Sequence, residues 1–257
     1  MHQYAIRRSS QALTALLLSA LQASCVVAPP ARIKPVEEVL GKGWTCYAAP
    51  DGYKVAGVVV EVTSDGKYLF DADYSSLSKE VPSAIGSVSM KSTTTLGGVV
   101  KLLESFKVVD KDTSFTADLT HKADIAVAYG GTKKQVLPGG SVETITAERA
   151  KRRLVPTSTY FVFRESHSAK SVDILVGDSV VGSLGLTAKL NQIVDVNPKI
   201  ARDASSQYKL KDAYEKPLGV CTIATELVPD RQFDGNTKLK LGNIVDVPTD
   251  VVISGRK

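Results

Sequence analysis

The pattern of hydrophobic and polar positions predicts mostly short strands. Residues 55–62 are rich in Val and read as a strand. Ser64-Asp65-Gly66-Lys67 is a turn in which Asp-Gly tolerates positive φ, and Tyr68-Leu69-Phe70 returns. This is the clearest hairpin in the chain. Residues 85–90 alternate as a further strand, and residues 115–119 and 125–129 read as two more. Gly130-Gly131 and Pro138-Gly139-Gly140-Ser141 mark turns. Residues 159–164 and 172–176 form a second hairpin-like pair around Ser166-His167-Ser168-Ala169. Further apolar runs follow at 180–190 and 193–196, then a strand over 218–227. After Pro229 the chain turns polar, and residues 238–241 and 244–247 alternate as edge strands.

Helical signals are fewer. Leu96, Val99, Val100, Leu102, Leu103 and Phe106 are spaced nearer to a helix than to a strand, although the β-branched residues leave both open. Residues 146–154 are the best helix candidate, with Thr144 or Thr146 as cap, Glu148 in the first turn and Pro156 beyond the end. Residues 200–213 hold a further short helix. The fold class expected is α+β: strand-rich mixed sheets with a few short helices. Ser83-Ala84-Ile85-Gly86-Ser87-Val88-Ser89-Met90 matches Ser179-Val180-Val181-Gly182-Ser183-Leu184-Gly185-Leu186 in character, and each follows a hairpin-like unit. Two duplicated halves would explain this, with a groove between them as the default binding site; chance is the alternative.

The N-terminus changes the picture. Arg7 and Arg8 precede a short apolar run at 12–21, and residues 1–24 hold no acid. Leu21-Gln22-Ala23-Ser24-Cys25 resembles the lipobox of a bacterial lipoprotein signal, with Gln22 where that motif usually has Leu. The resemblance covers about a tenth of the chain. It implies removal of residues 1–24, lipidation of Cys25, and a mature protein that works outside the cytoplasm on a lipid tether. Val26 is not the Asp that retains many such proteins in the inner membrane, so the implied address is the outer membrane, facing the periplasm or the cell surface. The expected organisation is a signal over 1–24, a lipidated tether over 25–42, a first half over 43–154, a second over 155–229, and C-terminal strands over 230–257.

Composition supports a folded body: 43% of the 257 residues are hydrophobic and 23% charged. The net charge is +5, or +3 once residues 1–24 are removed, too mild to imply nucleic acid. With Cys25 carrying lipid, Cys46 and Cys221 remain as an even pair in an oxidising compartment, and a disulfide between them is expected. Closing so long a loop is worth about 5 kcal/mol in the chain-entropy account.

Candidate chemistry is sparse. His121 lies three positions from both Asp118 and Asp124, a spacing that could hold a metal on a helix but fits a polar turn better. Ser166 and His167 are neighbours, so on a strand they would face opposite ways. Gly130-Gly131-Thr132-Lys133-Lys134 lacks the spacing of a phosphate loop and reads as a turn with solvated lysines. Glu148-Arg149-Ala150-Lys151-Arg152-Arg153 reads as a solvated helix face. Trp44, Tyr47 and Tyr53 surround Cys46 and could anchor the core or line a ligand surface. No cofactor, metal or catalytic residue is implied. The expected function is a non-enzymatic envelope component acting through protein–protein contact, with an envelope partner or a second copy of the chain. The alternatives are a binding module for a lipid or small apolar ligand, and a hydrolase built on Ser166, His167 or His121. A concave apolar pocket would favour the binding module.

Overall fold

The computed structural model describes residues 34–255 apart from 87–88, 152–154, 156, 204, 206 and 232–236. The signal segment, Cys25 and residues 26–33 of the tether lie outside the described residues. The chain runs β1 (Lys34–Pro35), α1 (Val36–Leu40), β2 (Thr45–Asp51), β3 (Val58–Val62), β4 (Tyr68–Asp73), β5 (Lys79–Val81), β6 (Ser89–Thr95), α2 (Leu96–Ser105), β7 (Lys122–Gly130), β8 (Lys133–Val136) and α3 (Gly139–Ala150). It continues through β9 (Thr159–Val176), α4 (Asp178–Ser183), α5 (Thr187–Val194), β10 (Ile200–Arg202), β11 (Tyr208–Arg231), β12 (Thr237–Val245) and β13 (Ile253–Ser254). The fold is strand-rich, with one large mixed sheet and few helices. Most pairings are antiparallel; β1 with β6 and β13 with β4 are parallel.

Two long strands form the spine. β9 has 18 residues and β11 has 24, and they pair antiparallel from Tyr208 opposite Val176 to Glu226 opposite Phe161. The other edge of β9 takes β3, β8 and β7 in turn along its length. The other edge of β11 takes β10, β2 and β12. Tyr214-Glu215-Lys216-Pro217 breaks register between Ala213 and Leu218. Pro217 has no N–H to give to a ladder, so it belongs at such an irregularity.

Alternate residues of β9 feed different cores. Tyr160 and Val162 pack with Val59, Val142 and Ile145 under α3. Phe161 and Phe163 pack with Tyr47, Val58, Val60 and Val251 on the opposite face. That double burial explains the continuous apolar run 160–163. A third cluster joins α2, β6 and β7 to α4, α5 and the start of β11.

Several expectations change. Ser166-His167-Ser168-Ala169 is not a turn; it lies in the middle of β9 and is buried. Ser166 and His167 are accommodated there because loops supply partners, the Ala56 amide for Ser166 and the Ser83 hydroxyl for His167. The helix expected over 200–213 is β10 and the start of β11, where Tyr208 and Leu210 are buried and Lys209 and Lys211 are not. Pro138 is no turn residue but the N-cap of α3; its carbonyl accepts from Ser141 and Val142, so the helix starts at Gly139 rather than 146. Residues 115–119 are not a strand; the Leu119 and His121 carbonyls instead accept from Gly97 and Leu96 at the start of α2. The ambiguous run at 96–106 is α2, capped by Thr95, whose hydroxyl accepts from the Gly98 amide.

The two octapeptides differ in conformation. The first is extended where it is described and enters β6, while the second contains α4, so their likeness is not a likeness of structure. Residues 34–40, placed in the tether, dock on the body: β1 pairs with β6, and Val36, Val39 and Leu40 pack on the third cluster. The two strands expected over 238–241 and 244–247 are one, β12, which pairs with β11, and a further strand that the pattern did not indicate, β13, pairs with β4.

Candidate functional site

Cys46 and Cys221 are disulfide-bonded across directly paired positions of β2 and β11. On its other side Cys221 stands opposite His167 of β9. Ser166 and His167 do face opposite ways. Ser166 Oγ accepts from the Ala56 amide at 2.8 Å. His167 Nδ1 lies 2.8 Å from Ser83 Oγ, and its ring sits 4.8 Å from that of Trp44. Burial first, then the neighbouring Lys134 ammonium, pulls His167 down to about 4. A base that weak does little to activate Ser83 at neutral pH, so the pair locks a loop onto the spine.

The remaining candidates separate. His121 is exposed and lies 3.2 Å from Asp118, but Asp124 pairs with Lys91 at 2.6 Å instead. Among the described residues no group of acids, His and Cys could hold a metal. Lys133 and Lys134 are not simply solvated: they pair with Glu80 at 2.9 Å and Glu165 at 2.7 Å. Arg149 is not on a solvated face. It is buried, with Nε 2.6 Å from the Asp71 carboxylate and its guanidinium 4.4 Å from the centre of the Tyr160 ring. Arg152 and Arg153 lie outside the described residues.

The residue that stands out is Lys54, which sequence reasoning missed. It is 2% exposed. Its loop is held from three sides. The Ala56 amide donates to Ser166, the Gly57 amide donates to the Phe163 carbonyl, and the Gly57 carbonyl accepts from Tyr74. Gly57 has φ +97° and lies against the Tyr74 backbone, where a Cβ would collide. Gly219 of β11 is equally demanding, because a Cβ there would run into the Lys54 carbonyl. The lysine is therefore fixed by the backbone around it. Its Nζ donates to the Ala49 carbonyl at 3.3 Å and lies 4.2 Å above the ring of Tyr47, itself buried and bonded to Thr222 at 2.6 Å.

Lys54 lines a cleft of about 310 Å³. One wall is the end of β2 with Ala49, Pro50 and Asp51; another is α2 with Gly98, Lys101 and Glu104; the third is the C-terminal segment with Asp250, Val251 and Val252. Lys101 ties α2 to that segment by donating to the Asp250 carbonyl at 3.2 Å. Gly98 faces Asp250 closely, which keeps α2 near the segment. Burial pulls the Lys54 ammonium down to about 8, outweighing the upward pull of Asp51; Lys101 adds to the fall and Asp250 opposes it. The cleft thus offers apolar walls and one amine that is about a tenth uncharged at pH 7. Such an amine can donate to an oxygen-bearing head group, and its uncharged fraction is a nucleophile.

None of the aromatic trio lines this cleft. Tyr47 is core and lies beneath Lys54. Trp44 covers His167, and Tyr53 is partly exposed with its ring 5.1 Å from Phe70. Lys54 gave no signal in sequence, since Asp51-Gly52-Tyr53-Lys54 reads as an ordinary polar turn.

No family model matches the chain, and no curated protein matches it. Among solved structures it is similar to a bacterial gasdermin from Bradyrhizobium tropiciagri, at 12% identity and a TM-score of 0.43 over 84% of this chain and 93% of that one. A likeness of that size carries no argument about this chain.

Proposed function

We propose that this protein is an exported, lipid-anchored binding module, and that the cleft over Lys54 holds a small, largely apolar ligand with an oxygen-bearing head. The address comes from the segment ending at Cys25. The binding role is carried by one observation: a lysine buried to 2% exposure that lines an apolar-walled cleft. Moving its titration from 10.5 to about 8 costs the fold about 3 kcal/mol at neutral pH. A methionine would fill the same space without that cost, so the amine makes sense as a ligand contact. Octan-1-ol is a suitable probe. In NMR titrations of the mature chain it should move the amides of Gly98, Val251 and Val252 saturably, and Lys54→Met should weaken that binding about tenfold. Shifts spread over the surface, or none, would remove the reading. For the anchor, labelled palmitate should enter the wild type and not Cys25→Ser.

One observation favours contact with another protein as a second role. Among the described residues β12 pairs only with β11, which leaves its outer edge open, and Ile244 on it is exposed. Cross-linking in intact cells through an aryl azide at position 244 should trap one specific envelope protein or a second copy of this chain.

A further inference from the structure

We propose that Lys54 captures aldehydes covalently, as an imine formed inside the cleft. The inference rests on the binding role proposed for that cleft and names the chemistry of its ligand. Three features carry it.

The first is the amine's setting. Among the described residues Lys54 Nζ has one hydrogen-bond acceptor, the Ala49 carbonyl, and otherwise the face of Tyr47. An ammonium has three N–H donors and a neutral amine two, so this setting satisfies the neutral form more nearly. The backbone contacts of Gly57 and Gly219 fix the loop, so the amine is held in place before any ligand arrives.

The second is the charge around it. Asp51, Glu104 and Asp250 line the same cleft. Lys101 and Lys111 line it as well, so the acids leave no net pull for a carboxylate or phosphate head, and burying such a head would add its own desolvation cost. An uncharged carbonyl avoids that cost. The third is the wall. Ala49, Pro50, Val251 and Val252 line the cleft with apolar surface, which favours an aliphatic tail.

The step is balanced without any redox partner. The lone pair of the uncharged amine adds to the carbonyl carbon while the carbonyl oxygen takes up a proton. The nitrogen sheds a proton to give a neutral carbinolamine. Loss of the hydroxyl as water, with departure of the remaining N–H proton, leaves the C=N bond. The net change is amine plus aldehyde to imine plus water.

Lys101 and Lys111 provide an internal control. Both line the cleft, but both are exposed. The test treats the mature full-length chain with octanal and cyanoborohydride at pH 7 and maps octyl-lysine by peptide mass spectrometry. Lys54 should be labelled at least tenfold faster than Lys101, Lys111 and the other lysines. Its rate should rise with pH through 8, where half of its amine is uncharged, and level off above that. Lys54→Arg and Lys54→Met should lose the fast adduct, with a thermal melt to show that each is folded. Equal labelling across exposed lysines, or an unlabelled Lys54, would overturn the proposal. An octan-1-ol titration separates the two ideas. If the alcohol binds at Gly98, Val251 and Val252 but no Lys54 adduct forms, capture fails and the binding module stands. If neither occurs, both fall.

Discussion

Among the described residues two cations are buried, Arg149 and Lys54, and the fold treats them differently. Arg149 on α3 is paired with a carboxylate and stacked on a ring. Its Nε is 2.6 Å from Asp71, Nη2 donates to the same carboxylate at 3.3 Å, and Tyr160 stacks below. Lys54 has a carbonyl at 3.3 Å and the face of Tyr47, and no ion pair among the described residues. Arg149 ties a helix to the sheet, whereas Lys54 lines a cleft. A paired buried charge holds structure; an unpaired one beside a cavity is a candidate contact for something that enters.

The largest effect should come from breaking the matched pair. Asp71→Ala leaves Arg149 charged and buried, and urea denaturation should report a loss of about 3–5 kcal/mol. Replacing both residues together, Asp71→Leu with Arg149→Met, should cost less than Asp71→Ala alone.

The unmatched cation should respond in the opposite sense. Lys54→Met should raise stability at pH 7, by up to about 3 kcal/mol. Because the folded titration lies near 8 and the unfolded one near 10.5, the unfolded chain binds more protons between those values. Wild-type stability should therefore rise as pH climbs from 8 to 10.5, and the methionine variant should lack that component.

His167 sharpens the contrast as a buried base beside a cation. It is neutral in the fold, with its titration near 4 against 6.5 when unfolded. Its contribution is complete above 6.5 and falls away as pH drops toward 4, by up to about 3 kcal/mol. His167→Gln should flatten denaturation midpoints across that window relative to wild type. The smallest effect belongs to Gly219→Ala. Crowding the Lys54 carbonyl should cost about 1–3 kcal/mol in stability and should weaken octan-1-ol binding by shifting the Lys54 backbone.

Local chemistry is readable from the chain and long-range pairing is not. Asp65-Gly66 and the alternating residues beside it specify the β3–β4 hairpin from nearby residues alone, and Gly66 takes φ +78° as the turn needs. The parity of Cys46 and Cys221 points to the disulfide because it needs only a count and a compartment. Ser166-His167-Ser168 is polar, so the pattern divides the spine strand in two. What makes that segment a strand is Ala56, Ser83 and Lys134, all far away in sequence. The late start expected for α3 has a related cause: Pro138-Gly139-Gly140 is turn-like by composition, and only packing of Val142 and Ile145 against β9 makes it helical. Lys54 is invisible in the pattern because its burial is decided by Gly219 and by the C-terminal segment closing over it, neither of which leaves a mark near position 54.

The binding role proposed for the cleft requires Lys54 to be an amine with a lowered titration that senses what fills the cleft. The most direct measurement is the ¹³Cε titration of Lys54 by NMR, with and without octan-1-ol. The account predicts a midpoint near 8 that moves lower as the alcohol fills the cleft and removes more water from the amine. A midpoint near the ordinary lysine value, unmoved by octan-1-ol, would contradict it.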